Sequence, residues 1–124
     1  MRSFTEDVAL RLDRLCGREP IHWIGLGRHD FQFAFEGVKR VACFFKASFF
    51  INGKNYDWIE EPPNAPVWLL VGQTPKSAIL LDELRLRISF SSGDHIDIFS
   101  DHAPYEAAII EFESDHDKVE LEVF

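Results

Sequence analysis

Residues 84–99, "LRLRISFSSGDHIDIF", decide how this chain folds. Apolar side chains alternate with polar ones on both sides of a Ser-Ser-Gly turn: Leu84, Leu86, Ile88 and Phe90 before it, Ile96 and Ile98 after it. A period of two marks strands with one buried face. Take Ser91-Ser92 as the centre of a type I turn and Gly93 as a left-handed bulge residue. The register then closes with Ser89 opposite His95, Ile88 opposite Ile96, Arg87 opposite Asp97 and Leu86 opposite Ile98. The inward pairs are aliphatic. The outward pairs include an Arg-Asp contact worth a few tenths of a kcal/mol to about 1 kcal/mol. A slip of one residue would drive Asp97 into the core, so the pattern assigns His95 and Asp97 to the polar face.

The same period runs through most of the chain. On the C-terminal side, "AAIIEFE" (107–113) and "KVELEVF" (118–124) read as a last hairpin across "SDHD". Glu111, Glu113, Glu120 and Glu122 alternate there with apolar residues, as on a wet sheet face. On the N-terminal side, "KSAILL" (76–81) predicts a strand that turns at Asp82-Glu83, and "VWLLV" (67–71) predicts a buried strand. Before them "EEPPNAP" (60–66) carries three prolines, which cannot feed a central ladder and read as a connector.

Upstream, "DFQFAFE" (30–36) alternates with Phe31, Phe33 and Phe35 on one face, and "IHWIGLG" (21–27) is a short strand. "VACFFKASFFI" (41–51) is apolar on both faces, which predicts one central strand covered twice. Asn52-Gly53 is a two-residue hairpin signal that returns the chain through "KNYDW" and sets Tyr56 opposite Phe49. Only residues 3–16 carry a helical period, through Phe4, Val8, Leu12 and Leu15. Ser3 with Glu6 predicts a capping box, and Gly17 and Pro20 stop the helix.

The expected fold is therefore α+β: one domain, 1–124, with an N-terminal helix packed on a curved, mainly antiparallel sheet. Two halves, 1–59 and 67–124, have similar form around the 60–66 connector. "FQFAFEG…VACF" and "LRISFSSG…IDIF" are both strand, glycine turn, strand, and each is followed by an aromatic-acid pair, Tyr56-Asp57 and Tyr105-Glu106. An ancient duplication and the shared form of any two hairpins both account for this.

The 124 residues include 21 acidic and 13 basic side chains, a net charge of −8. That balance opposes nucleic acid and anionic membrane, which need a basic surface, and suits a soluble protein or a basic partner. The charged N-terminus reads as no signal peptide, and no apolar run reaches the length of a membrane span. Cys16 and Cys43 lack metal spacing and read as reduced thiols, so the expected location is cytoplasmic.

Several patterns are candidates for chemistry. Four of the five histidines adjoin an aspartate: His29-Asp30, Asp94-His95, Asp101-His102 and Asp115-His116-Asp117. Neighbours on a strand point to opposite faces, so such dipeptides chelate poorly, and Asp and His are also ordinary turn residues. His95 and His102 would converge only if the loop 100–106 folded back. "GLGRHD" (25–30) lacks the third glycine and the following helix of a phosphate cradle. No Gly-x-Ser-x-Gly elbow occurs, Cys43 has no activating base nearby, and Cys16 sits at a helix C-terminus, where the dipole raises a thiol pKa. Recognition remains. Tyr56, Trp58 and Tyr105 beside acids are interface candidates, and Asp101, His102, Tyr105 and Glu106 form the one polar loop without a structural explanation.

Residues 68–110 resemble small uncharacterised bacterial domains of the immunity-protein type, through Leu70-Val71-Gly72, Leu86, Ile88, Phe90, Gly93, Ile96, Ile98 and Tyr105-Glu106. The resemblance implies a non-enzymatic protein that neutralises a basic partner protein. It carries over no catalytic residue and no cofactor, and it leaves homo-oligomerisation open. The competing expectations are a small-ligand or metal-binding protein using surface His and Asp residues, and a hydrolase built on carboxylates with His95 or His102.

Overall fold

A computed structural model describes residues 3–59, 64–100, 107–113 and 120–124. In chain order the elements are α1 (Glu6–Leu15), β1 (Trp23–Leu26), β2 (Phe31–Phe35), β3 (Val38–Cys43), β4 (Lys46–Ile51) and β5 (Lys54–Ile59). A 3-10 helix, η1 (Val67–Leu70), follows. Then come β6 (Pro75–Asp82), β7 (Arg85–Phe90), β8 (His95–Phe99), β9 (Ala108–Phe112) and β10 (Glu120–Val123). The fold is α+β, with every strand pairing antiparallel. Among the described residues no helix is long and apolar enough to cross a membrane.

The strands form two sheets rather than one. Sheet I runs β1-β2-β3-β9-β10, and sheet II runs β5-β4-β8-β7-β6. Each half of the chain gives three consecutive strands to one sheet and a two-strand hairpin to the other. Read from its β6 edge, sheet II is β6-β7-β8-β4-β5, which is the order of sheet I with five added to each of β1 to β3 and five taken from β9 and β10. The aromatic-acid pairs do not correspond in this scheme. Tyr56 lies in β5, whose counterpart is β10, whereas Tyr105-Glu106 precede β9 in the sequence.

The chain changes sheets inside the segment expected to be one strand. β3 ends at Cys43 and β4 starts at Lys46. The odd-numbered residues Val41, Cys43, Ala47, Phe49 and Ile51 stay buried throughout. Phe44, at the crossing, is exposed. Phe50, on the outer face, stacks on His95 with ring centroids 5.1 Å apart. The second apolar face therefore answers to a crossover and a ring stack, not to a second covering layer.

The inner faces share one core. Phe31 of sheet I meets Phe49 of sheet II edge-on at 4.8 Å, and the buried cluster holds residues from both halves. Helix α1 lies beside the β6 edge instead of over a sheet centre. Ala78 N–H donates to Asp13 Oδ1 (2.9 Å), Phe4 N–H to Glu83 O (2.7 Å) and Gly17 N–H to Pro75 O (2.7 Å). Across the gap, the Phe4 ring packs on Phe124 and the Arg11 guanidinium sits over Phe112. The helix thus satisfies an open edge of one sheet and closes against the other. Its stripe of Phe4, Val8 and Leu12 is buried as its period requires. The cap is Thr5, whose Oγ1 accepts from Val8 N–H at 3.2 Å; a Ser3–Glu6 box is not formed, because the helix starts at Glu6.

The β7–β8 hairpin has the expected register in all four pairs, plus Arg85 opposite Phe99. Gly93 has φ +95°, a conformation that favours glycine, and closes the bulge through Phe90 N–H to Asp94 O at 2.9 Å. Asn52 and Gly53 both have positive φ, as a type I′ hairpin requires, and Tyr56 does face Phe49. "VWLLV" is not a strand. Leu69 N–H donates to Pro66 O and Val71 N–H to Trp68 O, the i→i+3 pattern of a 3-10 helix. Val67 and Leu70, three apart, point inward, while Trp68, Leu69 and Val71 stand exposed.

Candidate functional site

The outer face of sheet II forms a concavity of about 610 Å³. Strand alternation puts its lining there. The outward residues of four adjacent strands stand in rows: Asp57, Ser48, Asp97 and Arg87 in one, and Asn55, Phe50 and His95 in the next. A third row holds Lys46 with Phe99 and Arg85.

Asp97 organises the floor. The hairpin pattern assigns it to the polar face; it is outward as expected, but it is fully buried. The cover is two arginines. Arg87 donates from Nε to Asp97 Oδ1 at 2.8 Å and from Nη2 to Oδ2 at 3.0 Å. Arg85 donates from Nε to Oδ2 at 2.8 Å and also from Nη2 to the same oxygen. Burial raises the Asp97 carboxyl, but the bonds from Arg87 and Arg85 outweigh it and hold the carboxyl below the usual carboxylate range. The same hydrogen bond holds the Arg87 guanidinium above its ordinary value.

His95 sits beside this network, its Nδ1 3.4 Å from Asp97 Oδ1 and buried without a hydrogen-bond partner among the described residues. Burial pushes its pKa down. Asp97 pulls it up, but Arg87 and Arg85 push it down again, and the net shift is downward. His95 is therefore neutral at pH 7. Its sign for stability follows. A group with a lowered folded pKa stabilises fully above its unfolded value, and that contribution is lost as pH falls through the folded value. For His95 the loss begins near pH 6.5, and for Asp97 it begins near 3.8. Urea midpoints measured from pH 8 to 3 should hold level and then fall in these two stages. His95→Gln should remove the first stage; an unchanged first stage would contradict the assignment.

Ser48 Oγ donates to Asp57 Oδ1 at 2.6 Å, not to a histidine. The carboxylate nearest His95 is taken up by two guanidiniums. Burial, with Asp13 adding to it, pushes the Cys16 thiol up to about 12, and burial with Asp30 does the same for Cys43, also to about 12. From an ordinary thiol near 8.5 to 9, that lowers the thiolate fraction at pH 8 about a thousandfold. A disulfide reagent at pH 8 should leave both thiols unmodified on the time scale of labelling the urea-unfolded chain. Fast labelling of the native chain would show a reactive cysteine.

The sequence candidates divide. Trp58 is fully buried and lies on the inward face of β5, so it closes the core and is not an exposed interface anchor. Tyr56 is half-buried on that same inward face and packs on the core, while Asp57 between them faces the concavity. Asp101, His102, Tyr105 and Glu106 lie outside the described residues, as does the Asp115-His116-Asp117 run. Among the described residues no group of three His, Cys, Asp or Glu is placed to hold a metal. Asp94, fully engaged, accepts from Asn52 N–H (3.1 Å) and Gln73 Nε2 (3.0 Å) and pins two turns together. In "GLGRHD", the space a Cβ would take on Gly27 is filled by Asp30 Oδ1, an anion where a phosphate cradle needs donors.

A second feature was not anticipated. Trp68 is 67% exposed on η1, beside exposed Leu69 and Val71. Backbone bonds from Gly72 N–H to Ile21 O and from Ile21 N–H to Gln73 O, both 2.9 Å, tie this segment to the lead-in of β1. There Trp23 is 46% exposed and lies over Gly25, with Leu26 exposed beyond it. Two of the three tryptophans thus stand exposed on segments that these backbone bonds join, the η1–β1 corner. Comparison with protein-family models, with curated proteins and with solved structures finds no match.

Proposed function

We propose that this chain is a non-enzymatic protein-binding module, that the η1–β1 corner is its contact surface, and that its partner is basic. The exposure of Trp68 carries the reading. An isolated exposed leucine is ordinary, whereas a tryptophan flanked by two further exposed apolar residues is the composition of an interface centre. The net charge of −8 supports a basic partner, because complementary charge speeds encounter and suppresses wrong partners. The engaged state of Ser48 and Asp97, and the burial that keeps both thiols protonated, support binding over catalysis. The immunity-like form of the proposal, in which the acidic chain neutralises a basic partner, is supported by that charge and by the resemblance over residues 68–110. A cytoplasmic setting belongs to the same reading, and two free thiols support it.

The test is capture from the source lysate with wild-type chain, with Trp68→Ala and with Lys54→Ala, a control on exposed β5. A basic protein should be retained by wild type and Lys54→Ala, and at least about tenfold less by Trp68→Ala, since an interface tryptophan is typically worth 2 kcal/mol or more. Retention should fall with added salt. Equal capture by Trp68→Ala would refute the corner as the contact.

A further inference from the structure

The concavity on sheet II carries an inference separate from the protein-binding corner. Its lining holds three cations, Lys46, Arg85 and Arg87, against two carboxylates, Asp57 and Asp97, a local balance of +1 on a chain of net charge −8. Asp97 is spent on the two arginines, and Asp57 accepts from Ser48. Lys46 forms no ion pair among the described residues; its Nζ lies 4.5 Å from the Phe99 ring centroid. The Arg85 guanidinium lies 4.9 Å from the same centroid. Two cations therefore flank one ring, from strands on either side of it.

Chemistry narrows what would bridge them. A guanidinium has five N–H donors in a rigid fork. Arg85 uses the Nε–Nη2 edge on Asp97, which among the described residues leaves the Nη1–Nη2 edge to pair with a second planar oxyanion. The buried Asp97 fixes the direction of that edge in advance, so little side-chain freedom is lost on binding. The excess is one charge, which matches a monoanion better than a phosphate dianion. Phe50, stacked on His95, and Phe99 supply apolar walls, and about 610 Å³ lies in the range of small-molecule sites.

We propose that this concavity binds a small organic monocarboxylate with a planar apolar body, its carboxylate bridging Lys46 Nζ and the free edge of Arg85 and held off the Phe99 face by both. The test is a titration of the full chain, followed by amide NMR, with benzoate, benzamide and inorganic phosphate at matched ionic strength. Benzoate should shift the amides around residues 46, 85, 97 and 99 and saturate. Benzamide and phosphate should not saturate at the same concentrations. Lys46→Met keeps the apolar stem and leaves the Asp97 network untouched, and it should weaken benzoate about tenfold or more. Equal saturation by benzamide would show an apolar slot only, equal saturation by phosphate an unselective counter-ion site, and undiminished affinity in a folded Lys46→Met a site elsewhere; each overturns the proposal. None of these outcomes bears on the Trp68 corner.

Discussion

Replacing Asp97 by alanine is expected to destabilise the protein by about 2–4 kcal/mol in urea unfolding at pH 7. The side chain is fully buried and accepts from two guanidiniums, so its loss strands two cations against each other on the floor of sheet II. Removing one member of a buried ion pair usually costs about 3–5 kcal/mol. The arginine side chains are 37% and 28% exposed, and their partial hydration lowers the figure. Arg85→Met or Arg87→Met should cost less, about 1 kcal/mol each, because the carboxylate keeps its other partner. The costs should not add: Asp97→Ala with Arg87→Met should be less destabilised than the sum, since the double variant no longer holds one of the stranded cations. A loss below about 0.5 kcal/mol for Asp97→Ala would mean that the network contributes nothing beyond surface charge.

Trp58→Ala is expected to cost about 3–5 kcal/mol, the range for emptying a large aromatic site in a packed core. Trp58 is fully buried between the sheets, opposite Ala47 in the β4–β5 register. Its Nε1 has no hydrogen-bond partner among the described residues, so Trp58→Phe removes an unpaired donor along with part of the volume and should cost markedly less. Trp68→Ala, at 67% exposure, should change stability by no more than about 0.5 kcal/mol. Unfolding curves of the three variants separate a structural tryptophan from a recognition tryptophan. The reverse order would contradict both assignments.

These contrasts mark where sequence reasoning reached and where it stopped. The 84–99 hairpin was legible because alternation and a turn glycine act locally and agree, and the Asn52-Gly53 turn for the same reason. The break at Phe44-Phe45 was not. An unbroken apolar run carries no mark of where it leaves one sheet for another, although Lys46 in a strand expected to be covered twice was a sign of an open face. "VWLLV" reads as a strand and folds as a 3-10 helix because a short apolar run has no decisive period. Only the three-residue spacing of buried Val67 and Leu70 separates a 3-10 turn from a strand, and it appears after folding.

The site divides in the same way. Arg87 opposite Asp97 followed from the hairpin register, and Arg85, two residues away on the same face, was within reach of the same argument. Lys46 was not, because the β4–β8 pairing joins strands from different halves of the chain. Trp58 beside Asp57 has the composition of an exposed interface pair, but strand alternation sends Asp57 out and Trp58 in. Trp68 lies in a run whose composition reads as a buried strand, so the exposed corner leaves no mark in the sequence.

The central claim is that the η1–β1 corner meets a partner. Amide hydrogen exchange of the chain, alone and bound to the protein it captures, tests it most directly. The expected result is added protection at residues 23–26 and 67–73, weakening as salt is raised. Protection confined to other surfaces, such as the outer face of α1 and the β6 edge, with residues 67–73 exchanging as in the free chain, would contradict it.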